Sequence, residues 1–136
     1  MPEWLPPTLF VTGFLAILIF VASRNTRRGI ERVLARRPNP NCAQFLELMQ
    51  VDVSPQASQF LWDKCSEQLK HYSPAITAHP DDLITELPLD EEECREDWPA
   101  EWTALTGMCE CDLPDWPEDW PLTVRNYARW LDLAPA

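Results

Sequence analysis

Glycine is scarce in this chain, with three in 136 residues. A glycine-rich loop of the kind that cradles phosphate has no place in it. Histidine is scarcer still: His71 and His79 both flank a stretch rich in proline and acid. No Ser/His/Asp or Cys/His arrangement has supporting context around them, so the chain reads as a non-enzyme. Paired carboxylates are plentiful. Catalysis by such a pair needs a shaped pocket and shifted pKa values, and these acids read instead as a solvated face. Five cysteines is an odd count without the paired spacing of a secreted disulfide scaffold, and the thiols are expected to be reduced. Cys109-Glu110-Cys111 is the best metal candidate, with Cys94, Cys65, His71 and His79 as completers. Structural zinc sites separate their cysteines by roughly two to four residues rather than one. The pair is therefore read as loop cysteines, and no metal and no cofactor is expected.

Positive charge is also in short supply. The chain holds 22 acidic and 11 basic residues, for a net charge of -11. The two signs are not mixed. Six of the 11 bases are Arg24, Arg27, Arg28, Arg32, Arg36 and Arg37, whereas 81–119 carries 15 acids and the single base Arg95. A basic collar thus precedes an acidic body. Such a body repels nucleic acid and suits a basic protein partner. The arginine run lacks the aromatic interleaving of a nucleic-acid site.

Charge is absent altogether from Leu5 to Ala22, a run of 18 residues. That meets the usual minimum for a transmembrane helix. Pro6 and Pro7 fall in its first turn, where their missing N–H groups cost little. Trp4 would sit at the membrane edge. A secretory signal would want positive charge ahead of the run, and only Glu3 is there. A buried core helix would show a polar face, and none is visible. All nearby positive charge follows the run, so Arg24 to Arg37 should face the cytoplasm and the headgroups, with the N-terminus outside. Ile30, Val33 and Leu34 form an apolar stripe that suits a helix continuing along the membrane surface.

Two prolines in Arg37-Pro38-Asn39-Pro40 end that helix and start a linker. Phe45, Leu46, Leu48, Met49 and Val51 form an apolar patch expected to pack on the domain. Ser54-Pro55 reads as a helix start, with serine as cap and proline in the first turn. Ala57, Phe60, Leu61, Cys65, Leu69 and Tyr72 then share one face, and Ser73-Pro74 marks the end. After a long loop comes Leu87-Pro88-Leu89-Asp90-Glu91-Glu92-Glu93. Asp90 is placed to cap a helix, with Glu93 positioned as a capping-box partner. Three carboxylates in the first turn favour the positive end of the helix dipole. Pro99 lies within this helix and should either bend it at Trp98 or start a new helix that ends at Gly107. Asp97-Trp98-Pro99-Ala100-Glu101-Trp102 recurs as Asp115-Trp116-Pro117-Glu118-Asp119-Trp120. We read these tryptophans as closing a small core. The amphipathic stretch 122–131 supplies a last helix, with Val124, Tyr127, Ala128 and Leu131 as its stripe.

The Leu87-Pro88-Leu89-Asp90-Glu91 segment resembles the loop before the second helix of acyl carrier proteins. In that family a Leu-Gly-x-Asp-Ser-Leu motif carries phosphopantetheine on its serine. Asp90 matches the aspartate, Pro88 stands in place of glycine, and Glu91 in place of serine. Glutamate has no hydroxyl to accept the group. The chain is more similar to a bacterial acyl-carrier-like family that lacks the serine, over roughly Ser54 to Leu133. The resemblance implies a small acyl-carrier-like bundle of three or four helices, so that with the apolar run as a transmembrane helix the expected fold is all-α. It also implies docking through the second helix.

The expected organisation is an anchor over 1–23, a basic juxtamembrane helix over 24–37, a linker over 38–53 and an acidic helical domain over 54–136. The expected function is a non-catalytic, membrane-anchored docking module of the bacterial inner membrane, with a cytoplasmic domain. Asp90, Glu91, Glu92, Glu93, Glu96 and Asp97 would bind a basic protein partner. The alternatives are an immunity-type inhibitor of a basic toxin, or a true acyl carrier loaded at another serine.

Overall fold

The computed structural model describes residues 7–134. Trp4, Leu5 and Pro6, invoked above for the anchor, lie outside the described residues. Among those described, the protein is all-helical, with five α-helices and one isolated antiparallel bridge, Leu83 to Thr123.

Helix α1 (Pro7–Arg36) is unbroken for 30 residues. At about 1.5 Å per residue it is roughly 45 Å long. Its apolar window has no residue buried against the protein, and the helix is long and apolar enough to cross a membrane. It does not change course where the apolar run ends. Gly29 costs only about 1 kcal/mol in a helix interior, and no proline intervenes before Pro38. The last turns do change their surroundings. Ile30 and Val33 are 2 % exposed and Leu34 packs beside them. The stripe expected to lie on lipid therefore packs on protein, and 24–36 belongs to the same rod as the apolar run.

The segment expected as a linker holds a second helix, α2 (Cys42–Met49). Asn41 and Gln44 cap it reciprocally, side chain to backbone, at 2.8 and 2.9 Å. Phe45 and Met49 are fully buried, but Val51 is 85 % exposed. The core position goes to Val53 instead, since the chain turns between the two.

Helix α3 (Pro55–Leu69) starts where expected. The Ser54 hydroxyl accepts from the Ala57 amide at 3.2 Å, and Asp132 accepts from both the amide and the hydroxyl of Ser54 at 2.8 and 2.6 Å. Ala57, Phe60, Leu61, Cys65 and Leu69 are buried as a stripe. Fully burying a large apolar side chain contributes roughly 1.5–3 kcal/mol.

The chain between α3 and the acidic helix is tied down rather than loose. Ile84 donates to the Leu122 carbonyl at 2.9 Å, and Val124 donates to that of Asp82 at 3.0 Å. A π-helical turn (Glu93–Asp97) then runs into α4 (Trp98–Thr106). This is the answer to Pro99. A proline ring clashes with the carbonyl four residues earlier and offers no N–H. Widening the preceding turn, so that Trp98 donates to Glu93, absorbs the mismatch without a break. Gly107, at φ 73°, ends α4 in the left-handed region. Helix α5 (Val124–Asp132) is capped by Thr123, whose hydroxyl accepts from Asn126 at 3.1 Å.

One core joins all of this. Ile30 and Val33 of α1, Phe45 and Met49 of α2, the α3 stripe, Trp98 and Trp102 of α4, and Val124, Tyr127 and Leu131 of α5 form a single cluster. The first tryptophan pair is thus core, as expected, while Trp116 and Trp120 are only half-buried.

Candidate functional site

The acidic tip is set by its path along α1. Arg37 grips Asp82 with two hydrogen bonds, Nε to Oδ1 at 3.1 Å and Nη2 to Oδ2 at 2.5 Å. Arg36 meets Glu86 at 2.5 Å. Thr26 then shares a surface hollow with Pro88, Leu89 and Asp90. The loop therefore climbs α1 from its C-terminal end back toward the apolar run. Asp90 thus lines the same hollow as Thr26, which is four residues past Ala22, or about 6 Å along the axis.

Asp90 caps the acidic helix, accepting from Glu92 at 2.9 Å and Glu93 at 3.2 Å. The expected capping box is not closed by Glu93. Gln68 of α3 takes that part: its carbonyl accepts from the Asp90 amide at 2.6 Å while its NH2 group donates to Glu93 at 2.8 Å. A side chain from the neighbouring helix thereby fixes the entry angle of the tip.

The carboxylates beyond the cap divide by partner. Glu93 is held by Gln68, and Glu96 lies 3.5 Å from Arg95. Glu91, Glu92 and Asp97 are exposed and have no side-chain partner among the described residues. Of the six carboxylates, Asp90 to Glu93 with Glu96 and Asp97, only Glu96 pairs with Arg95, and Lys64 and Lys70 line a hollow with Glu93 and Asp97. The structure brings all six onto the first turns of one helix.

Among the arginines, Arg24, Arg27, Arg28 and Arg32 are exposed on α1, and Arg27 pairs with Glu31 at 3.2 Å. Arg36 and Arg37 are engaged by the domain. Arg37 is only 12 % exposed and also donates to the Thr77 carbonyl at 2.8 Å. These two bind α1 to the loop. The Glu86 carboxylate holds the Arg36 proton more tightly than usual.

Beside the tip lies a cavity of about 370 Å³ that sequence reasoning missed. Trp116, Tyr127 and Trp130 form one wall, their rings packed tilted or edge-on at 5.7 to 6.3 Å. Ile84, Leu87 and Leu89 form the other, and Thr85, Glu91 and Arg95 stand at its edge. The repeated Asp-Trp-Pro motif was the available signal, but spacing alone does not say that the two tryptophan sets part ways.

Cys65 and Cys94 are buried, and burial raises both thiols above the usual range, Cys94 to about 12. Burial likewise raises the Tyr127 hydroxyl, which donates to the Cys94 carbonyl at 2.5 Å. Thiols held protonated are poor nucleophiles and poor metal ligands. Cys109 and Cys111 are exposed on a 3₁₀ turn (Glu110–Asp112), where a hydrogen bond with Cys109 raises the Cys111 thiol. The residues considered above as a metal set are not brought together, and no cluster of three or more candidate ligands occurs among the described residues.

No protein-family model, no curated protein and no solved structure matches the chain.

Proposed function

We propose that the protein is a single-pass, membrane-anchored docking module of the bacterial inner membrane. Its cytoplasmic acidic tip, Asp90 to Asp97, captures a basic protein partner, and it performs no catalysis. One observation carries the reading: unpaired exposed carboxylates crowd the start of a helix whose cap, Asp90, lines one surface hollow with Thr26 of α1, near the end of the apolar run. Exposed acids at a helix N-terminus are favoured by the dipole, and their summed field attracts cationic partners and speeds encounter.

Ten large apolar residues between Leu9 and Val21 are 46 to 70 % exposed. A contiguous surface of that kind needs an apolar covering, and a bilayer supplies it. Arg24, Arg27, Arg28 and Arg32 follow directly, which favours a cytoplasmic domain. The acyl-carrier-like reading of 54–133 belongs to the same proposal. It draws on the capping aspartate at the end of a long loop, with Glu91 in the place where a carrier would have serine.

The test uses the full chain as bait in detergent-solubilised cells. Glu91, Glu92 and Glu93 changed together to Lys should leave the helical content intact and abolish capture. Unchanged capture would make the acid burst a solubility device and overturn the proposal.

A further inference from the structure

We infer that the cavity beside the acidic tip receives a bulky apolar side chain from the basic partner, and that this partner is a cationic amphipathic segment lying at the membrane surface. The inference rests on the docking reading and adds what the partner must look like. The cavity belongs to no contact within the described residues, yet it is walled by Trp116, Tyr127 and Trp130. Its volume, about 370 Å³, sits at the small end of ligand sites. Aromatic walls around an apolar slot are surroundings in which one anchor residue can dominate binding once a partner excludes water.

Charge selects the occupant. Glu91 stands at the edge of the slot, on the same acidic helix that carries Glu92, Glu93 and Glu96. A neutral amphiphile would gain nothing from these groups. A helix carrying Lys and Arg around one Leu or Trp would place its cations on the carboxylates while the apolar residue enters the slot. Arg95, also at the edge and 74 % exposed, is the one unfavourable group and limits how tightly such a segment binds. Position selects the occupant further. Leu89 lines both this slot and the hollow shared with Thr26 of α1. The slot therefore runs along the same loop that ends at the acidic tip, and on the proposed anchoring a helix resting on headgroups could reach it.

The experiment uses the full chain in nanodiscs of zwitterionic lipid, which do not themselves attract a basic peptide. Two synthetic helical peptides serve as probes, identical in Lys and Arg, one with a central Leu and the other with Ala there. The Leu peptide should bind about tenfold more tightly than the Ala peptide. Thr85→Trp and Leu122→Trp, both rim positions, should each erase that difference and leave the salt-sensitive binding of the Ala peptide. Arg95→Glu should tighten both peptides. Equal binding of the two peptides to the wild-type protein overturns the inference while leaving the docking reading intact. The same holds if the rim variants preserve the difference. Loss of all peptide binding in the wild type would instead strike at the docking reading itself. Displacement of the Leu peptide by decanoate, with no discrimination between peptides, would assign the slot to a small amphiphile and also overturn the inference.

Discussion

At the residue scale the most consequential pair is Arg37 with Asp82. Both are largely buried, at 12 and 5 % side-chain exposure. Removing one partner strands the other charge, at a cost of about 3–5 kcal/mol. Arg37→Ala should lower stability by that amount in chemical denaturation of the full chain in detergent, whereas Arg28→Ala should change it by less than about 0.5 kcal/mol. Nothing in the sequence separates these two arginines, or Asp82 from Asp81. Only the return of the loop along α1 makes one of each pair internal. Cys65, Cys94 and Tyr127 give a second prediction. Their folded-state pKa values lie above the ordinary 9.0 and 10.0. Above about pH 9 the unfolded chain releases these protons and the folded chain keeps them, so the unfolded state binds fewer protons and stability falls as pH rises. The urea midpoint should drop between about pH 8 and pH 10.5, and an unchanged midpoint would refute the assignment. In the folded protein a maleimide should label Cys109 and Cys111 and spare Cys65 and Cys94.

At the element scale, what is written locally was legible. Ser54 and Asp90 as caps, and Gly107 as a stop, are set by residues within one turn of the helix end. The Gln68 bridge was not legible, because its partner lies 22 positions away and glutamine has no strong preference of its own. The π-helical turn was half-legible: Pro99 demanded an accommodation, and the choice between a kink, a break and a wider turn was made by packing. Trp98 and Trp102 are 1 and 3 % exposed, so the helix keeps its direction to bury both. Gln68→Ala and Asp90→Ala should each cost about 1 kcal/mol. Because they act on one network, the double variant should depart from additivity by at least about 0.5 kcal/mol. Strict additivity would mean that Gln68 does not orient the tip.

At the scale of the whole molecule, the apolar run and the acidic body were plain in the sequence, while the share that residues before 54 take in the core was not. Ile30, Val33, Phe45 and Met49 lie before 54 and are at most 2 % exposed in the shared core. Residues 54–136 alone should therefore lose four core side chains worth roughly 1.5–3 kcal/mol each, comparable with the 5–15 kcal/mol of an entire domain. A fragment of 54–136 should show no cooperative thermal transition by circular dichroism, and 24–136 should show one. A cooperative melt of the shorter fragment would restore the boundary at 54. On the proposed anchoring, α1 entering the core without an intervening linker would hold the domain at a fixed height, with the acidic tip as its membrane-facing end. The direct measurement is the immersion depth of a spin label at Asp90→Cys and at Ala35→Cys in lipid nanodiscs, with Cys42, Cys109 and Cys111 replaced by Ser. Ala35 lies nine residues beyond Thr26 on the same rod, about 14 Å along the axis. The label at 90 should report the headgroup region and the label at 35 bulk water. Equal depths for the two labels, or no lipid contact at 90, would contradict the account.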